Sequence, residues 1–146
     1  MSKSNTFEND WLKLIFNATA IANIADNAAS APLTNLYVSL HTGDPGEAGD
    51  QTTNEVTTGA YDTYARVAVA RTSGGWTVTN NSVSPAAIIA FAACAGGTGA
   101  TATHWAVGTA ASSTGKILYS GTITPNIAIS TGVTPQLTTA STITED

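Results

Sequence analysis

Only one segment of the chain has helical periodicity. Phe7, Trp11, Leu14, Ile15, Ala18, Ile21, Ala22 and Ala25 recur at three- and four-residue steps. At ~100° per residue they fall on one stripe, which predicts an amphipathic helix over residues 5–27 with that stripe against the core. Asn5 can cap its start, with Glu8 three residues later in a capping-box relation. The helix is expected to fade in NAASAP, because the residue before Pro32 is pushed out of helical geometry. Leu12, Phe16 and Ile24 lie off the stripe, where a solvated helix would be polar. Either the helix is wedged between a sheet and a loop, or this face is a subunit interface with another chain.

After Pro32 the period changes to two. LYVSLHT, YARVAVAR, GWTVT, AAIIAFA, THWAVGT, KILYSGTI, NIAIS and TPQLTT are short runs, many alternating, parted by Gly, Pro, Asn and Ser. In LYVSLHT, Leu36, Val38 and Leu40 share one face, and Tyr37, Ser39 and His41 the other. In YARVAVA, Tyr64, Arg66, Ala68 and Ala70 oppose Ala65, Val67 and Val69. About eight strands without intervening helices argue against a parallel α/β sheet. The expected fold is mainly β: an antiparallel, jelly-roll-like sandwich over residues 33–146, preceded by the helix, as one domain over 1–146.

Composition narrows the function. Charged residues make up 10% of the 146, the net charge is −5, and the five basic residues are scattered. That balance disfavours neutralising nucleic-acid phosphates. Cys94 is the single cysteine, so an intramolecular disulfide and a cysteine zinc cage are both excluded. The N-terminus lacks a signal-peptide pattern and no apolar run reaches membrane-spanning length. The expectation is a soluble chain made in a cytoplasm, without a membrane or nucleic-acid partner.

The most polar stretch is LYVSLHTGDPGEAGDQTTNE, residues 36–55. With Asp44 as the first position of a calcium loop, Gly49 falls at the sixth and Glu55 at the twelfth. The third and fifth are Gly46 and Ala48, which have no side-chain oxygen. His41 and His104 are the only histidines, and no G-x-S-x-G elbow accompanies them. The carboxylates lack the flanking aromatics of a sugar cleft, apart from Tyr61 and Tyr64. Gly96, Gly97 and Gly99 lack the Lys-Ser/Thr of a phosphate loop. No catalytic, cofactor or metal site is expected. Asp44, Glu47, Asp50 and Glu55 are expected to form an exposed polar contact loop, turned by Pro45, Gly46 and Gly49.

That stretch, with YARVAVAR, GGWTV, THWAVGTA, GKILYSG and the terminal ITED, resembles a family of small tailed-bacteriophage virion structural proteins over nearly the whole chain. The segment TTGAYDTYAR is longer than the family spacing before YARV. The resemblance implies a non-enzymatic virion protein, with capsid cement or decoration as the first expectation. The implied partners are then the major capsid protein and copies of the chain itself, as a dimer or trimer, with Leu12, Phe16 and Ile24 as the expected subunit or capsid contacts. The alternative is a tail-fibre or tail-associated protein that binds a host surface glycan.

Overall fold

A computed structural model describes residues 4–21, 25 and 32–145. Among the described residues, one helix, α1 (Asn5–Asn17), is followed by nine strands. They are β1 (Asn35–His41), β2 (Val67–Ala70), β3 (Trp76–Thr79), β4 (Ser82–Pro85), β5 (Ile89–Ala90), β6 (Ala100–Gly108), β7 (Ile117–Ile129), β8 (Gln136–Leu137) and β9 (Ile143–Thr144). The sheets run β2-β1-β6-β7, β3-β4-β9 and β5-β8. The β1–β6, β6–β7, β3–β4 and β4–β9 pairs are antiparallel. The fold is mainly β with one N-terminal helix, as the periodicities predict.

The chain divides into two compact units. The first comprises Met1–Asn35, Val69–Ile89 and Leu137–Asp146. In it α1 packs on the hairpin β3–β4. Ser4, not Asn5, caps the helix, its hydroxyl accepting the Phe7 amide at 3.4 Å. The helix stops at Asn17, well short of residue 27, because Ala18 turns left-handed (φ 54°) and the Thr19 amide bonds back to the Lys13 carbonyl at 3.1 Å. Arg71 closes the same end, donating from Nε to the Ile15 carbonyl and from Nη2 to that of Leu14, each at 2.5 Å. A cation there also suits the helix dipole.

The helix presents the opposite face from the one predicted. Leu12 and Phe16 are 0% exposed, and Phe16 meets the buried Trp76 edge-on at 4.8 Å between ring centroids. Glu8, one turn earlier on the same line, is buried too, whereas Phe7 and Trp11 are exposed. Leu12 and Phe16 are thus core residues of this unit, not a subunit or capsid interface. Ile24 lies outside the described residues. The predicted stripe drew half its members from beyond Asn17, the last residue of α1. Without them, the stripe retains Phe7, Trp11, Leu14 and Ile15, of which Phe7 and Trp11 are exposed.

The second unit comprises Leu36–Ala68 and Ala90–Gln136. Its sheet has two unlike faces. Leu36, Val38 and Leu40 lie on one with Trp105 and Val107 opposite, all buried. Ser39 and His41 lie on the other, facing Ala106 and His104, which in turn face Ser120 and Thr122. KILYSGTI and NIAIS, expected as separate strands, are one 13-residue strand, β7. YARVAVAR shortens to Val67–Ala70, because Tyr64 and Arg66 are used elsewhere.

Candidate functional site

The segment leaving β1 is closed at its base by backbone pairing. The Thr42 amide donates to the Asn54 carbonyl at 2.8 Å and the Val56 amide to that of Leu40 at 2.9 Å. At the tip, the Asp44 carboxylate accepts the Gly46 amide at 2.8 Å, the local turn its side-chain geometry favours. Gly46 has φ 69°, a left-handed conformation open to glycine at little cost. Asp44 and Glu47 are both exposed. Asp50 accepts the Thr52 amide and hydroxyl at 2.8 and 2.6 Å, and those bonds hold its carboxyl below the usual range.

Beyond Asp50, alternate side chains turn inward, while Thr52 and Asn54 stay exposed. Gln51 is 0% exposed. Its backbone N–H donates to the Gly115 carbonyl at 2.9 Å, and its side-chain Oε1 accepts the Ala110 backbone amide at 2.9 Å. The approach requires glycine on both sides: a Cβ at Gly108 or Gly115 would sit 2.2 Å from the Gln51 side chain.

Glu55 anchors the densest polar network among the described residues. Arg66 grips it in a fork, Nε to Oε1 at 2.7 Å and Nη2 to Oε2 at 2.8 Å. The same guanidinium donates to the carbonyls of Ala110 at 2.9 Å and Ser113 at 2.8 Å. The Tyr64 hydroxyl adds a bond to Glu55 Oε1 at 2.9 Å and accepts the Leu40 amide at 3.0 Å. Its ring stacks on Phe91 at 6.1 Å. The side chains of Arg66 and Glu55 are 3% and 14% exposed. The hydrogen bonds with Glu55 push the Arg66 pKa up, while burial first and then the neighbouring carboxylate push up the Tyr64 phenol. A bidentate pair this dry is geometrically specific, and removing either partner strands a charge.

His41 is also sealed in, at 0% exposure. One ring nitrogen, Nδ1, lies 2.8 Å from the Thr53 carbonyl. A carbonyl can only accept, so Nδ1 carries the proton and Nε2 accepts the Ser39 hydroxyl at 2.8 Å. Burial pushes the imidazole pKa down. The Ser39–His41 distance is that of a nucleophile and its base, yet both groups are fully buried and the orienting partner is a carbonyl. The pair ties β1 to the loop.

The expected contact loop is therefore two structures. Asp44 and Glu47 are exposed and Asp50 is half-buried in its own turn. Glu55 instead cross-links the unit's interior. The partner missed in the sequence is Arg66. Its signal was a lone arginine on the same side of its run as Tyr64, and both converge on Glu55. No group of three or more His, Cys, Asp or Glu side chains among the described residues could hold a metal ion.

A family model described as podophage GP4 fiber I protein gp80 matches residues 2–144. The chain belongs to that family and is a structural protein of the bacteriophage virion. A search of curated proteins returns no match.

Proposed function

We propose that the chain is a non-enzymatic fibre component of the phage virion, acting at the tail in host attachment. The observation that carries this reading is the family match, whose description names a fibre protein and which spans residues 2–144. The buried Glu55–Arg66 network supports it, since a fork-bonded pair and its carbonyl partners hold one loop geometry against disorder. Capsid cement was the first expectation from sequence. Its proposed contact residues Leu12 and Phe16 are core, and no other observation favours it.

The test is gold labelling of a tagged copy in intact virions, with adsorption measured on particles lacking the chain. Label at the tail, intact heads and lost adsorption are expected. Label spread over the head, with heads that rupture on heating when the chain is missing, would overturn the fibre reading in favour of cement.

A further inference from the structure

Residues 50–54 lie as a strap over the sheet face that carries Ser39 and His41, held by two pins. The first is Gln51, inserted between Gly108 and Gly115 and bonded to Ala110 and Gly115. The second is the Thr53 carbonyl, which accepts from His41 Nδ1 at 2.8 Å. Asn54 ties the strap to the loop tip: its carbonyl accepts the Thr42 amide, and its Nδ2 donates to the Asp44 carbonyl at 2.8 Å. On the other side Glu55 is locked by Arg66 and Tyr64. A movement of the strap therefore carries the tip with it and stops at Glu55.

Both pins are conditional. Gln51 is fully buried, yet its Nε2 has no hydrogen-bond partner among the described residues. A buried donor left unpaired opposes the closed position, and withdrawal into water relieves it. The His41 pin is matched to a neutral ring: Nε2 accepts the Ser39 hydroxyl at 2.8 Å, and a proton there turns the acceptor into a donor. Ser39, 0% exposed, must then turn its own hydrogen elsewhere in the interior.

The surroundings do not welcome the charge. Burial is the largest influence on the ring and opposes protonation. The Thr53 carbonyl and Glu55 favour it, while Arg66 and His104, the register partner on β6, oppose it. Glu55 is already shared between Arg66 and the Tyr64 hydroxyl, Asp50 is committed to Thr52, and β7 beyond β6 has no charged residue. Hydrating the ring means lifting the cover that His41 itself pins.

We infer that residues 50–54 form an acid-released strap: uptake of a proton by His41 lifts them from the sheet, withdraws Gln51 from its slot, and loosens the Asp44–Glu47 tip and the turn at 109–116. The lifted form exposes the ring and titrates near the ordinary histidine value of about 6.5, whereas the strapped form resists the proton. Below that value the lifted population grows about tenfold per pH unit until the strapped form is protonated too. The tip carboxylates are then presented from a loose loop instead of a fixed one. The device works the same wherever in the virion the chain resides.

The experiment is amide hydrogen exchange on the full chain at pH 7.5 and pH 5, corrected for intrinsic rates, with both imidazoles followed by NMR. At pH 5 the amides of Thr42, Gln51 and Ala110 are expected to lose about tenfold in protection. Val56, bonded to the Leu40 carbonyl, and the amides of β1 and β6 keep theirs. The loss follows the titration of His41 and not that of His104. His41→Gln, which stays neutral, is expected to erase the pH difference, and His104→Gln to retain it. Should His41→Gln fail to fold, the parent's own titration decides. Protection that stays level at pH 5, or that follows His104, overturns the inference. An equal loss at Val56 and across β1 and β6 overturns it in favour of a general destabilisation by acid.

Discussion

The two ends of one loop use the same chemical group in opposite ways. At the tip, Asp44 and Glu47 keep their carboxylates in water. At the base, Glu55 gives both oxygens to Arg66 and one also to Tyr64. The tip carboxylates cost the fold little and remain available to a partner. The base carboxylate has exchanged its hydration for fixed donors, so it contributes geometry and cannot bind anything else. Glu47 and Glu55 lie eight positions apart, and burial decides which role each has.

Breaking the base should have the largest effect. Arg66→Ala leaves Glu55 without its cation and two loop carbonyls without a donor, so a loss of about 3–5 kcal/mol is expected in urea denaturation. Gly108→Ala drives a methyl into Gln51. It should cost about 1–3 kcal/mol, with Gln51→Ala in the same chain recovering part of the loss by making room. Removing only the Tyr64 hydroxyl, as Phe, should cost about 1 kcal/mol in the same assay.

Acid acts on the base through His41. Burial lowers its folded pKa, so the unfolded chain takes up the proton first as pH falls. This contribution is complete above the unfolded value of about 6.5 and is lost progressively as pH falls from there to the folded value, below which it is flat. Thermal midpoints measured from pH 7.5 to 5 should show that decline, and His41→Gln should flatten it. At the tip, D44N and E47Q should each stay within about 0.5 kcal/mol of the parent.

What the sequence made legible was local. Alternation marked the strands of the central sheet, and Asp-Pro-Gly announced the turn at Asp44, because period and turn chemistry act between near neighbours. The helix end was hidden because Ala18 adopts a left-handed conformation without the usual glycine. The helix face was hidden for a related reason: apolar side chains spread over a wide arc of the helix leave the choice to packing, and Trp76 makes it. Glu55 and Arg66 lie eleven residues apart on segments with no shared period. Their pairing depends on tertiary geometry, as does the insertion of Gln51 between Gly108 and Gly115.

The division of the loop is tested most directly by thermal denaturation of Glu55→Gln beside the D44N/E47Q double variant at neutral pH. Both changes replace carboxylate with amide at nearly constant shape. The expected result is a destabilisation of about 1–3 kcal/mol for Glu55→Gln and a midpoint close to the parent's for the tip variant. Equal losses in the two, or a larger loss at the tip, would contradict the account.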